Sequence, residues 1–320
     1  MYLLVTFRWR SVQQVNGMLN AHRVNKQLSM TSPLSIGFFH AGAMGSALAA
    51  IAKANGANTY WASEGRSATT QHRAILAGLV DLGSVEAVCA HCDVLVSIGP
   101  NQIALQTAQR VAQTNFDGLF IEANPLSPPT VSAIADIVRA TGAQFIDAAV
   151  IGPPPQGERQ TTTLYLSGDV SDEIPRYFSS GALSVLVLGK SYIQASALKL
   201  CDSLVNKGQF ALVVGSLAAA EALGVREQLQ QLWSNNPERH SYQQTAQGLP
   251  KRAAKAWRFE SEMCEVAKML DQVGLGAELG QGASGLFERL ATTKSAADVP
   301  VASILLDILQ NTSANKLEQP

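Results

Sequence analysis

The sequence has 320 residues, a formal net charge of −1, 15% charged and 47% apolar side chains. No basic run exceeds two residues, which argues against nucleic acid as a main partner. The longest apolar stretch, from Phe210 to Ala220, stops at Glu221 and is too short to span a bilayer. Length and apolar content are enough for two domains, each with a core.

The first 32 residues carry Arg8, Arg10, Arg23 and Lys26 and no acid. That is the composition of an organellar targeting peptide. Alternatively the natural start is Met30, with Thr31-Ser32-Pro33-Leu34 leading into a first strand. Either way, 1–32 is an extension outside the fold. The four cysteines, Cys89, Cys92, Cys201 and Cys264, suit a reducing compartment without disulfides, so a cytoplasmic location is expected, with organellar targeting as the alternative. Cys89-Ala90-His91-Cys92 has no second ligand pair elsewhere and reads as an apolar lead-in to a strand, so no metal site is expected.

From residue 33 to 190, apolar strand candidates at 35–39, 59–62, 94–98, 119–122 and 145–148 alternate with helix-length segments. Such alternation predicts βαβ units on a mostly parallel, doubly wound sheet. A helix over 128–141 is bracketed by Ser127 as cap, Pro128 at its first position and Gly142 at its end. Residues 161–166 alternate polar and apolar, which predicts a late strand of another orientation. From 191 to 320 the pattern becomes helical throughout. A long buried helix is expected over 191–223, broken near Gly208, followed by helices over 225–233, 251–273 and 283–292. The polar stretch 235–247 is expected to be an exposed loop. The predicted fold is thus an α/β Rossmann domain (33–190) followed by an all-α domain (191–320).

The first strand runs into His40-Ala41-Gly42-Ala43-Met44-Gly45 and then a helix of small residues. In G-x-G-x-x-G the first glycine eases the turn, the second admits a pyrophosphate to the backbone amides, and the third lets helix and strand pack closely. Gly42 and Gly45 keep the second and third roles; His40 replaces the first. A dinucleotide would rest on the positive end of the helix dipole. After the second strand comes Ala62-Ser63-Glu64-Gly65-Arg66-Ser67. Ser63, Arg66 and Ser67 suit the 2′-phosphate of NADP, whereas Glu64 suits the ribose hydroxyls of NAD unless it turns to solvent. No acid precedes Glu64, so the pocket starts with a positive bias. NADP is expected ahead of NAD. Gly99 and Pro100, after the strand over 94–98, would wall the nicotinamide side.

Together with Ile121-Glu122-Ala123-Asn124-Pro125, Ile151-Gly152-Pro153-Pro154-Pro155 and Ala195-Ser196-Ala197-Leu198-Lys199, these motifs carry a resemblance. The chain resembles the β-hydroxyacid dehydrogenases, relatives of 3-hydroxyisobutyrate and 6-phosphogluconate dehydrogenases, over about 35–291. It is most similar to the branch that joins a 6-phosphogluconate-dehydrogenase-like domain to a C-terminal helical domain of unassigned function. The resemblance implies Lys199 as general acid/base; the small and apolar residues around it would pull its pKa toward neutrality. It also implies substrate contacts at Asn124, Ile151, Gly152, Pro153, Asp202 and Ser203.

The chain departs from that family at several of these positions. The family's asparagine on the turn after the lysine is replaced by Asp202 and Ser203. The serine of its Asp-Ala-Pro-Val-Ser-Gly-Gly loop aligns with Ile151 and the second glycine with Pro153. The hydroxyl residues of its Asp-x-Ser-Thr motif align with Asn124 and Pro125. A simple carboxylate clamp is therefore not expected, and no paired basic residues suit a phosphorylated sugar acid. The implied activity is hydride transfer between nicotinamide and a small hydroxy acid or related carbonyl compound, in a homodimer. The alternatives are an imine reductase on the same fold and a non-catalytic NADP-binding regulator.

Overall fold

The computed structural model describes residues 33–292 and 299–314, so the extension expected over 1–32 lies outside the described residues. Eight strands form one sheet in the order β3-β2-β1-β4-β5-β6-β7-β8. They are β1 (Ser35–Phe38), β2 (Asn58–Trp61), β3 (Val80–Asp81), β4 (Val94–Ser97), β5 (Leu119–Glu122), β6 (Gln144–Ile151), β7 (Thr162–Gly168) and β8 (Leu183–Gly189). The first six pair with one another in parallel. β7 runs antiparallel to β6, and β8 parallel to β7. β4 and β5 are buried along their whole length, as suits near-continuous apolar strands covered on both faces.

The crossovers supply α1 (Ala43–Ala54), α2 (Ala68–Leu76), α3 (Val85–His91), α4 (Ala104–Ala112), α5 (Pro128–Arg139) and the short α6 (Ile174–Phe178). One face of the sheet buries Ile36, Phe38 and Val96 with Leu48 and Phe178. The other buries Leu95, Phe120 and Phe145 with Val131, Ile134 and Val138. Cys89 and Cys92 belong to this second core, where burial pushes their thiols up to about 11 and 12.

Helices follow: α7 (Gln194–Ala222), α8 (Arg226–Ser234), α9 (His240–Gln247), α10 (Leu249–Ala253), α11 (Ala256–Gln272), α12 (Glu278–Thr292) and α13 (Val301–Ala314). Their core centres on Phe210, Phe259 and Phe287, with ring centroids 5.6–6.2 Å apart. Among the described residues no helix is long and apolar enough to cross a membrane.

Several sequence expectations need correction. α7 continues through Gly208 for 29 residues. A glycine costs a helix interior only about 1 kcal/mol, and burial of Leu200, Phe210, Val214 and Leu217 on the same helix outweighs it. The expected loop at 235–247 is mostly helical: a 3-10 turn, Pro237–Arg239, leads into α9. Buried Ala246 and the Trp233–Tyr242 edge contact hold α9 down despite its polar composition. The helix expected over 251–273 is divided into α10 and α11. The two-residue β3, the edge strand β8 and helix α13 were not anticipated. Ser127 precedes α5 but makes no side-chain bond to that helix's amides.

Candidate functional site

β1 and β4 are neighbours whose crossovers leave in opposite directions, which opens a crevice at their carboxyl ends. The turn after β1 lies there. Gly42 is the residue before α1, and no side chain caps that helix, so its first amides are free to meet an anion. Gly45 performs the packing role expected of it: a Cβ there would lie 2.3 Å from the carbonyl oxygen of His40. His40 stands beside both glycine-lined loops, its Cδ2 being 3.3 Å from where a Gly42 Cβ would fall and its Cβ 3.5 Å from that of Gly99. Burial, then Arg66 and Arg73, push its pKa down to about 4, so the ring is neutral, and its buried Nδ1 has no partner among the described residues.

Arg66 reaches this crevice. It shares a small cavity with Phe39, His40, Ser97, Gly99 and Asn124. One guanidinium nitrogen, Nη2, donates to the Phe39 carbonyl at 3.0 Å, while the buried Nε has no partner among the described residues. Ser67 spends its hydroxyl as the cap of α2, accepting the Thr70 amide at 3.3 Å. The Ser63 carbonyl accepts the Arg66 amide, closing the loop between them. Glu64 turns aside: its Oε2 lies 2.6 Å from Arg110 Nη2.

Asn124, only 2% exposed, has every polar side-chain group engaged. Its Oδ1 accepts the Gly99 amide at 2.6 Å, and its Nδ2 donates to Glu122 Oε1 at 2.6 Å and Ser97 Oγ at 3.3 Å. It braces the loops after β4 and β5, and that is its visible task. Glu122 is fully buried, and desolvation pushes its pKa up to about 8, which makes it a neutral acid near pH 7. Asn101 adds a bond to the Pro125 carbonyl beside it.

Ile151 ends β6 half-buried, and Gly152 and Pro153 follow exposed. Gly152 has φ +129°, and a Cβ there would lie 2.5 Å from the Thr161 carbonyl, so this corner admits only glycine. Thr162 Oγ1 donates to the Pro153 carbonyl and closes the loop against β7.

Further back along β6, Asp147 docks the amino end of α7 on the sheet. Its carboxylate accepts the Ser196 amide at 2.9 Å, the Ser196 hydroxyl, and the Ser167 hydroxyl at 3.0 Å; Ser167 Oγ in turn accepts the Ala195 amide. Burial outweighs these bonds and lifts the Asp147 pKa to about 6. Lys199 follows Ser196 by three residues and is therefore fixed relative to the sheet. It is half-buried, with no hydrogen bond or ion pair among the described residues. Desolvation, the largest influence, lowers its pKa, with Glu262 and Asp202 opposing and Lys207 and Arg258 assisting.

The structure does not leave Ser203 free for a substrate. It is buried, its hydroxyl donates to Glu262 Oε1 and accepts from Lys207 Nζ at 3.2 Å, and Lys207 meets Glu262 at 2.8 Å. Burial favours this closed triad over an exposed hydroxyl. Asp202 accepts from Asn206 Nδ2 at 2.7 Å.

The sequence reading assigned no role to Arg110, Glu122, Glu262 or Glu265. Glu265 Oε2 accepts the Ser127 amide and hydroxyl, each at 2.7 Å, and the Thr130 hydroxyl at 2.9 Å, while Lys268 pairs with Oε1. These bonds hold its pKa below the usual carboxylate value despite its burial. The available signal was Glu122 at the end of an otherwise apolar strand; the spacing of Glu262 and Glu265 alone resembles any helix surface.

Residues 35–174 match the family described as the NAD binding domain of 6-phosphogluconate dehydrogenase, and residues 220–290 match a domain of unknown function, DUF1932. The mitochondrial 3-hydroxyisobutyrate dehydrogenase of Drosophila melanogaster is 26% identical over 117 residues, 35% of this chain and 33% of that enzyme. The alignment therefore spans about a third of that relative. The Mycobacterium tuberculosis 3-hydroxyisobutyrate dehydrogenase, solved with L-serine, superposes with TM-score 0.63 at 18% identity, covering 86% of this chain and 98% of that one. An imine reductase from Bacillus cereus gives TM-score 0.50 at 17% identity, over 87% and 99% of the two chains. These two likenesses concern the fold.

Proposed function

We propose that the chain, which joins a match to the NAD binding domain of 6-phosphogluconate dehydrogenase to a helical domain of unknown function, is a β-hydroxyacid dehydrogenase-type, NADP-dependent oxidoreductase acting on a small hydroxy acid or related carbonyl compound. The residues fit a dinucleotide. The amides following Gly42 are uncapped, Gly45 permits the close helix, and the unpartnered Arg66 Nε lies in the crevice. Bound there, the nicotinamide supplies the hydride-transfer chemistry.

The observation that carries the NADP preference is the pairing of Arg66 and Glu64: the cation lies in the crevice and the acid is drawn off to Arg110. In this reading 33–190 holds the cofactor, and 191–320 supplies Lys199 and the dimer contact. Asp147 and Ser167 hold the start of α7, and Lys199 Nζ takes or gives the hydroxyl proton of the substrate. Partial desolvation brings its pKa down toward the range where such transfer is efficient. The Gly152–Pro153 corner shapes the opposite wall. Val205 and Leu212, exposed two turns apart on α7, support a homodimer.

Imine reduction is the second reading, favoured by Ile151 and Pro153, which provide no carboxylate clamp. Single-turnover oxidation of NADPH by keto and imino acids, with reduction of NADP by hydroxy acids, tests both. Turnover of a keto acid supports the first, and turnover of imines alone the second. Failure with every substrate class would refute both.

A further inference from the structure

Glu64 occupies the tip of β2, where a carboxylate would hydrogen-bond the ribose of NAD and repel the 2′-phosphate of NADP. The main chain of this tip is fixed, since the Glu64 amide donates to the Gly83 carbonyl at 2.9 Å. The side chain is steered by Arg110 on α4. Arg110 grips Glu86 of α3 with two bonds, Nε to Oε1 at 2.6 Å and Nη2 to Oε2 at 2.9 Å. The same Nη2 also reaches Glu64 Oε2 at 2.6 Å. A two-point grip orients the planar guanidinium before it meets Glu64. The groups are well exposed, Arg110 by 37% and Glu64 by 53%, and such surface pairs add little to stability. A role in folding therefore does not account for the arrangement.

We propose that Arg110, anchored by Glu86, is a specificity-determining positioning residue that holds Glu64 away from the ribose edge and leaves Arg66 free to take a 2′-phosphate. The proposal rests on the NADP reading above. It makes cofactor choice depend on a residue that does not itself touch the nucleotide.

The test is titration of the full-length protein with NADPH and with NADH, followed by cofactor fluorescence. Arg110→Met releases Glu64 toward the phosphate, and a like charge at close range should weaken NADPH about tenfold, with NADH unchanged or tighter. Adding Glu64→Gln to Arg110→Met should return NADPH affinity to near the parent. Equal weakening of both cofactors, or no recovery in the double variant, overturns the proposal. Should Arg110→Met unfold, Glu86→Gln loosens the anchor instead and must shift the NADPH/NADH ratio the same way; an unchanged ratio also overturns it. Arg66→Ala separates the two claims. If it weakens NADPH and NADH alike, the NADP reading itself fails. If it is selective for NADPH while Arg110→Met is not, only the role of Arg110 is lost.

Discussion

Glu122 offers a measurement of what one buried acid does to this fold. Its pKa rises from 4.5 to about 8 in the folded chain, with burial the largest cause. Between those values the native state keeps a proton that the unfolded state has released. Stability must therefore fall as pH rises, by about 1.4 kcal/mol per unit. Other groups act mostly outside the upper part of this window. Asp147, raised from 3.8 to about 6, acts below it, and so does His40, lowered from 6.5 to about 4. Cys89 and Cys92, raised above 9.0, act beyond it. From pH 6.5 to about 8 the parent should thus lose about 2 kcal/mol through Glu122. Glu122→Gln keeps the shape and a carbonyl oxygen for the two Asn124 donors, but cannot ionise. Urea unfolding across that range should give a falling line for the parent and a flatter one for the variant, with shared contributions cancelling in the difference. Parallel lines would show that Glu122 is already ionised in the fold and that the argument from desolvation is wrong.

Arg66→Ala should lower NADPH affinity about tenfold or more, because charge-assisted contacts to phosphate are the strong ones, and leave NADH nearly untouched; titration of both cofactors decides. His40→Gly should retain or improve cofactor binding, since the neutral ring only fills the space beside Gly42 and Gly99; lost turnover at unchanged affinity would contradict this. Lys199→Met should fold and bind cofactor yet lose about 10²–10⁴ in turnover. Lys199→Arg should rescue poorly, because guanidinium keeps its proton at working pH. In a pH-rate profile the parent should show a limb below the ordinary lysine value that Lys199→Met lacks.

The alternating strands and the Gly42–Gly45 turn were legible because they follow local rules: apolar runs, punctuating glycines and a helix start. The antiparallel placement of β7 was legible for the same reason, from its alternation and terminal glycine. Short or edge elements such as β3 and β8 carry too little pattern to stand out. Gly208 and the polar run before Leu249 misled because local propensity lost to tertiary burial. At the site, Arg66 and the turn could be read, since each is one loop. The positions of Glu64, Asn124 and Ser203 could not: each is decided by a partner far along the chain, respectively Arg110, Gly99 with Ser97, and Glu262. A motif names residues but does not say which of them are already occupied by one another.

The bonds from Glu265 to Ser127 span 138 positions of sequence. During synthesis, then, the amino end of α5 and the loop carrying Asn124 emerge long before the carboxylate that completes them. Strands and crossover helices up to β8 can assemble as they leave the ribosome, but this corner must wait for α11. A truncated chain ending before Glu265 would keep the glycine turn and lack the acceptor for the Ser127 and Thr130 donors. The bonds that Ser127 and Thr130 make to Glu265 thus depend on a late segment, and the chain completes this corner only when α11 has been made.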